Sequence, residues 1–449
     1  MQFTSLAFAV FLPIVFFAYW AVPNQYRMPF LLLVSYGFYM TFSPGYVLLL
    51  CGMSCIAYFV GLHCSKRNFV AGVILQIGVL AFFKYVGLIP GIGESIVVPV
   101  GISFYLFKSV SYLADVRMGK YEPERKVVPL FLYLAFFPDV VSGPINRADV
   151  LIPQLKAEKK FQEAQAVYGM RLILWGLFKK LLIADTLARY VDKVFELPGA
   201  YMGISYFFAA VFYTIEIYCD FSGYSDMAVG IARLFGIRSM ENFKSPYFSA
   251  NIKEFWGRWH ISLSSWLRDY IYFPLGGSRK GKVKMYFNLM ATFLVSGFWH
   301  GASLTFVVWG ALHGLYQVCY RFYREHCKKR LPKILGVMIT FTAVGFAWIF
   351  FRADSLYDAC YMIRYMGYNL DPLLAYHKMG MTSQDFYLIL ISVGVLAAVD
   401  FASLKTDVLA ALDKWKAPVR WAVYLILSAV ILAFHLHNGT SQQFIYFQF

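Results

Sequence analysis

The sequence predicts an all-α, polytopic integral membrane protein of about 11–12 transmembrane helices, with re-entrant and interfacial helices between them. Three observations predict it. Hydrophobic residues make up 59% of the chain and charged residues 15%, and the mean hydropathy is +0.57. The apolar residues gather in runs long enough to cross a hydrocarbon core of ~30 Å, which takes about 20 helical residues. The formal charge of +16 sits in short loops between those runs, where Lys and Arg set orientation. No basic-aromatic module stands outside the runs, so nucleic-acid binding is excluded.

In order, the apolar runs cover residues 3–22, 28–42, 45–62, 69–89, 96–114, 128–142, 167–187, 200–219, 284–299, 303–320, 334–351, 386–404 and 418–435. The first lacks a basic flank and a small-residue cleavage site, so it is expected to be a retained span rather than a signal peptide. Lys66-Arg67 and the stretches Arg117–Lys126, Lys156–Lys160, Arg279–Lys284, Arg321–Lys333 and Lys405–Arg420 are basic. The loop 352–385 is the acidic one, with Asp354, Asp358, Asp371 and Asp385 against Arg352, Arg364 and Lys378. An N-terminus outside the cell places the basic loops in the cytoplasm and the acidic one outside.

That scheme requires 128–142 to be re-entrant or broken, because basic loops flank it on both sides and Pro138, Asp139, Gly143 and Pro144 interrupt its end. Irregular backbone at membrane depth is tolerated only against protein or a water-filled cavity. The stretch 220–282 is too polar to span yet aromatic throughout; both pieces are expected to build a cytoplasmic funnel. No repeat or linker divides the chain, which reads as one integral domain over 1–449 with its chemical core in 219–320.

Taken as a helix at 100° per residue, 252–270 gathers Ile252, Phe255, Trp256, Trp259, Leu263, Trp266, Leu267 and Tyr270 on one face. Lys253, Glu254, Arg258, Ser265, Arg268 and Asp269 lie opposite, the pattern of a helix in the membrane interface. His260 falls at the edge of the apolar face; an interfacial His bonded to backbone accounts for it as well as a functional one does. Pro274-Leu275-Gly276-Gly277 ends the element in a turn. The cations of Ser278-Arg279-Lys280-Gly281-Lys282 can meet lipid headgroups or a phosphorylated donor.

The sharpest signal is Ser296-Gly297-Phe298-Trp299-His300-Gly301, an imidazole at the end of an apolar run between two glycines. Ionisable groups at membrane depth are functional candidates by default, although a buried His bonded to a neighbouring carbonyl gives the same pattern. His313, on one continuous helix, would point away from His300 and reads as a packing or supporting group. His435 and His437 cannot share a helix face, and the seven scattered Cys form no CxxC pair, so no metal site or disulfide framework is implied. Asp226 is expected to cap a helix beginning near Met227, while Asp220 stays open between capping and acid–base work. Pro246-Tyr247 and Gly143-Pro144 read as turns.

The segments PVGISFYLFKSVSYLADV (99–116), FPDVVSGPI (137–145), YCDFSGYSDMAVGIARLFGI (218–237), NFKSPYFSANIKEFWGRWHISLSSWLRDYIYFPLGGSR (242–279), SGFWHGASLTFVVWGALHG (296–314) and FIYFQF (444–449) resemble the membrane-bound O-acyltransferase (MBOAT) family. The likeness is to its bacterial branch of alginate O-acetylation and teichoic-acid D-alanylation proteins, and it leans towards alginate-type acetylation. The resemblance implies that His300 is the essential catalytic histidine, that His260 is the second histidine, and that a many-helix core surrounds a central tunnel.

It further implies a multi-pass protein of the bacterial inner membrane that moves an acyl group, acetyl above all, from a cytoplasmic thioester to an extracytoplasmic hydroxyl. The donor, acetyl-CoA or an acyl-carrier protein, is a substrate, and no tightly bound cofactor is expected. His300 would act as general base, a role worth ~10²–10⁴-fold, and His260 would hold the donor or stabilise the oxyanion. Arg258, Arg268, Arg279 and Lys280 would guide a phosphate-bearing donor, with Trp259, Trp299, Asp220 and Ser222 as further candidate binding residues. The acceptor is a polysaccharide or a hydroxyl on a secreted or anchored SGNH-type esterase partner, which the loop 352–385 and the tail 436–449 could dock. Two rival classes share the broken helices and aromatic funnel: a glycan or lipid transporter, and a non-catalytic subunit of a glycan-secretion complex. Neither consumes a thioester.

Overall fold

The computed structural model describes residues 1–88, 97–327, 329, 331–368, 378–438, 442, 444 and 445, with backbone alone for 435–438. Among these residues every regular element is helical, as composition and periodicity predict. Helices long and apolar enough to cross a bilayer occur at 66–85, 204–234, 333–352, 383–403 and 417–434, with shorter apolar ones at 6–21 and 46–62. The chain is a multi-pass membrane protein. It divides into two compact units, Met1–Gly176 with Tyr224–Glu241, and Leu177–Gly223 with Asn242–Phe449.

The first unit contains α1 (Leu6–Ala21), α2 (Asn24–Met40), α3 (Tyr46–Leu62), α4 (Lys66–Tyr85), α5 (Ile102–Arg117), α6 (Val127–Ala135), α7 (Ala148–Lys156) and most of α8 (Glu163–Leu177). Ile102–Asp115 of α5 are all buried, so this apolar run meets protein rather than lipid. Its first turn presses on the chain after α6: a Cβ on Gly101, whose φ is +74°, would lie 2.1 Å from the Val140 carbonyl oxygen, which leaves glycine as the fitting residue.

The expected break in 128–142 is present. Helix α6 stops after nine residues, because Pro138 offers no N–H to continue it. The turn that follows points Asp139 inward, where its Oδ2 meets Lys108 Nζ at 3.3 Å and accepts from Asn146 Nδ2 at 2.7 Å. The Lys108 and Asp139 side chains are wholly buried, and a charge there persists only when paired.

The second unit holds a wide π-helical turn (Phe178–Ala184), α9 (Asp185–Glu196), the first two-thirds of α10 (Ile204–Leu234), α11 (Ile252–Arg258), α12 (Ile261–Leu267), α13 (Lys282–His300), α14 (Leu304–His326), α15 (Lys333–Arg352), α16 (Leu356–Tyr365), α17 (Ser383–Ser403), α18 (Val408–Ala411) and α19 (Ala417–Asn438). Two expectations are corrected here. The run 200–219 does not end at Cys219; α10 continues to Leu234, so Asp226 lies inside a helix and caps none. Polarity alone argues for a helix end at 220–226, but tertiary partners satisfy it: Lys180 meets Asp220, and Lys179 donates to Ser222 at 2.9 Å.

The stretch 252–270 is not one helix either. It breaks at Trp259-His260 and resumes as α12, followed by a π-helical turn over Arg268–Tyr272. The apolar stripe survives the break but packs on protein rather than reading as an interfacial face: Ile252, Phe255, Trp256, Trp259, Leu263, Trp266 and Leu267 are buried, Trp256 against Phe293 and Trp309 and Trp259 against Trp348, while Tyr270 is half-buried. The turns expected at Pro246-Tyr247 and Gly143-Pro144 are present.

Candidate active site

Helices α13 and α14 form a hairpin packed glycine against glycine. A Cβ on Gly297 would lie 2.3 Å from the Phe306 carbonyl oxygen, and one on Gly310 2.5 Å from that of Phe293. Gly297 and Gly301 are four residues apart, as are Gly310 and Gly314, the small-xxx-small spacing that lets membrane helices approach closely. His300 is the last residue of α13 and is 4% exposed. Its ring packs against Trp299 (centroids 4.6 Å apart), Trp309 (4.9 Å) and Phe351 (4.9 Å).

The helix break at Gly301–Ser303 separates α13 from α14. His313 therefore does not turn away from His300, as one continuous helix would require. Both rings pack on Trp309, His313 at 4.9 Å. His313 is fully buried, and its Nδ1 accepts from Trp256 Nε1 at 3.3 Å, so Nε2 carries the proton.

His260 sits in the break between α11 and α12 with φ +42°. A left-handed non-glycine residue costs roughly 1–2 kcal/mol. Asn242 holds it there: its carbonyl accepts from Ile261 N at 2.9 Å, and its Oδ1 meets Ser262 N, Ser262 Oγ and His260 Nδ1 at 3.2, 2.9 and 3.1 Å. Each bond contributes about 0.5–1.5 kcal/mol, enough together to offset the strain. Because Oδ1 already takes the Ser262 N–H, it accepts from the ring as well; Nδ1 bears the hydrogen and Nε2 the lone pair. Burial pushes this imidazole down to about 3, so it is neutral at physiological pH.

Trp259 joins the two histidine regions. It packs on Trp348 (5.1 Å), Trp348 stacks on Trp309 (5.7 Å), and Trp309 touches His300. On the other side Tyr218 and Phe243 lie against Trp259 (6.2 and 5.1 Å), and Phe221 lies against His260 (4.6 Å).

A cavity of about 700 Å³ opens beside this aromatic corridor. Trp256, Ile261, Leu289 and Phe293 give it an apolar floor; Lys253, Arg268, Arg321 and Arg324 face it, with Glu325 as the one carboxylate among the described residues of its walls. Lys282 (3.0 Å) and Arg321 (3.6 Å) pair with Glu325 at the rim. The lysine holds the Glu325 carboxyl below its usual range. Neither His260 nor His300 lines the cavity; Trp256 connects its floor to His313.

Of the cations expected at a donor site, Arg268 reaches this cavity and also pairs with Asp269 at 2.8 Å. Arg258 pairs with Glu254 at 2.7 Å. Arg279 and Lys280 are exposed in the turn before α13. Trp299 contacts His300 directly. Asp220 and Ser222 belong to a separate buried network: Lys180 Nζ meets Asp220 (2.5 Å) and Asp185 (2.8 Å), Ile445 N donates to Asp220 Oδ2 at 2.8 Å, and Lys179 holds Ser222.

Sequence reasoning passed over Lys179, Lys180, Trp309, Trp348, Asn242, Arg321 and Arg324. The adjacent lysines inside the apolar run 167–187 carried a usable signal, since intramembrane cations need partners. His435, His437, Asp371 and most of the terminal FIYFQF lie outside the residues whose side chains are described, and no group of metal-binding residues occurs among those that are.

The MBOAT, membrane-bound O-acyltransferase, family model matches residues 95–363, which include both site histidines. The chain is 38% identical over 387 residues to the "Probable alginate O-acetylase AlgI" of Pseudomonas syringae pv. tomato, covering 80% of this chain and 74% of that protein. It is 34% identical over 415 residues to the peptidoglycan O-acetyltransferase of Helicobacter pylori (81% and 79%). With the teichoic acid D-alanyltransferase of Bacillus subtilis it shares 33% over 282 residues (58% and 69%). A helical membrane protein with this histidine pair, matched through its core and along four-fifths of its length, belongs to the membrane-bound O-acyltransferase family.

Proposed function

We propose that this O-acyltransferase moves an acetyl group from a cytoplasmic thioester, acetyl-CoA or an acylated carrier protein, to a hydroxyl beyond the inner membrane. The names of its relatives support acetyl. The acceptor is an exopolysaccharide of the alginate kind or a hydroxyl on a secreted or anchored SGNH-type partner. The observation that carries the reading is the cationic, apolar-floored cavity, joined through Trp256, His313 and Trp309 to the buried ring of His300.

Cations at Lys253, Arg268, Arg321 and Arg324 suit the phosphates of the donor, and the apolar floor suits its acyl-bearing arm. The acceptor oxygen forms a bond to the thioester carbonyl carbon as the carbon–sulfur bond breaks. His300 takes the hydroxyl proton and returns it to the departing thiolate. The aromatic cage around His300 must part for both reactants to reach it, because the ring is not on the cavity wall. His260 presents a lone pair at Nε2, so it accepts a hydrogen bond from donor or acceptor; stabilising an oxyanion takes a donor.

Donor-dependent acetyl transfer by the full chain in proteoliposomes tests this. His300→Ala, eluting as the folded protein, is expected to lose about 10²–10⁴-fold in turnover. Retained turnover removes the ring from the mechanism, and substrate movement without thioester consumption replaces the reading with transport.

A further inference from the structure

The first unit contains a second cavity, about 220 Å³, that acyl transfer does not use. It lies where α1 gives way to α2 and α7 to the segment 157–162. Arg27, Lys156 and Lys159 line it with Glu158, Asn24 and Tyr19.

The cations are not equivalent. Arg27 is fixed: its Nε donates to the Val22 carbonyl, Nη1 to Asn24 and the Lys159 carbonyl, and Nη2 to the Trp20 carbonyl. The guanidinium lies over the Trp20 and Tyr19 rings at 4.8 and 5.3 Å. It supplies a rigid positive charge with few donors to spare. Lys156 is paired with Glu124. Lys159 differs: its ammonium donates to the Gln154 carbonyl at 2.6 Å, and among the described residues no carboxylate pairs with it. Burial pulls it below the ordinary lysine range. A partly desolvated ammonium beside a fixed guanidinium favours an anionic guest.

The surroundings say which anion. Trp20 and Phe161 pack edge to face at 5.3 Å, and Phe17 and Phe161 are 70% and 52% exposed. Aromatic rings of this kind mark the membrane–water interface. The outward faces of Val10, Ile14 and Phe17 on α1 offer apolar surface alongside for acyl chains. Lys156–Lys160 is a basic loop, which the charge pattern assigns to the cytoplasm, and basic pockets between helices on that side suit phosphate headgroups.

We infer that this cavity is a binding site for the phosphodiester headgroup of an anionic membrane phospholipid, with Lys159 as its direct ligand and Arg27 as its fixed field. Asn24 and Gln25, also in its lining, add side-chain amides for a glycerol headgroup.

The full chain is purified in neutral detergent and titrated with phosphatidylglycerol or phosphatidylcholine, bound lipid being read by native mass spectrometry. Phosphatidylglycerol is expected to be retained in preference, and Lys159→Gln to weaken it about fivefold. Lys159→Arg should restore most of the affinity. Lys66→Gln, which removes a charge from another basic loop, should leave it unchanged. Equal retention of the two lipids overturns the inference, as does an equal loss in Lys66→Gln. Displacement of the lipid by millimolar inorganic phosphate also overturns it, since the site would then serve a free anion. Native-like melting of Lys159→Gln is the control that its loss of lipid does not come from unfolding.

Discussion

Gly297→Ala probes the assembly of the proposed catalytic site without touching a titratable group. The added Cβ would lie 2.3 Å from the Phe306 carbonyl oxygen, against an ordinary van der Waals contact of 3.4 Å or more. Nothing flexible stands in the way: the obstacle is backbone, and the next atoms met are the Phe306 carbonyl carbon at 3.2 Å and Gly310 Cα at 3.3 Å. Relief therefore requires α13 and α14 to separate by about 1 Å, and overpacking of this kind costs about 1–3 kcal/mol. His300 is three residues along α13, and Trp309 is adjacent to Gly310. The same displacement thus opens the 4.9 Å contact between them. A 1 Å misplacement of a reacting group can cost about 10²-fold. Gly297→Ala is expected to lower the melting temperature in detergent and to reduce acetyl transfer in proteoliposomes by about that factor. Gly394→Ala, on α17 with nothing within 4 Å of the new Cβ, is the matched control and should be neutral. Unchanged melting and turnover in Gly297→Ala would refute the close-packed hairpin as the device that places His300.

Other perturbations read other parts of the second unit. Lys180→Met strands Asp185 and Asp220, whose side chains are 12% and 5% exposed; removing one partner from a buried ion pair costs about 3–5 kcal/mol. Thermal melting should show it, with Lys180→Met/Asp220→Asn recovering part of the loss. A double variant no better than the single would count against the network. His260 is predicted to remain neutral from pH 8 to pH 5, with the hydrogen on Nδ1, in nitrogen-15 spectra of labelled histidines. Its folded value of about 3 lies below the ordinary 6.5, so the unfolded chain binds the extra proton. Its contribution to stability is complete above pH 6.5 and falls by about 1.4 kcal/mol per unit as the pH drops towards 3. A midpoint near 6.5 in the folded protein contradicts the burial argument.

Some elements were legible residue by residue. The apolar residues of Ile252–Leu267 share one side as their spacing predicts, although that side packs on protein, and the break after α6 follows from Pro138 and Asp139. The histidine at the end of α13 is where its flanking glycines put it. Others were not legible, because a local pattern cannot report a distant partner. Polarity at 220–226 looks like a helix end until Lys179 and Lys180, about 40 residues earlier, are seen to neutralise it. The break at His260 depends on Asn242, 18 residues away. The cations Arg321 and Arg324 read as an orienting loop; α14 carries them onto the wall of the same cavity as Arg268.

By itself the sequence determined the environment and the helical class, since apolar runs and loop charges act locally and independently of the rest of the chain; it was the resemblance to the membrane-bound O-acyltransferases that pointed to acyl chemistry at the histidines. Tertiary structure alone decided that His300 and His313 share Trp309, and that Asp220 and Ser222 serve a buried ion network. It also decided that the cationic cavity lies beside the histidines without including them. Those outcomes depend on which side chains meet across helices, and the glycine contacts that set helix separation act between residues that no periodicity connects.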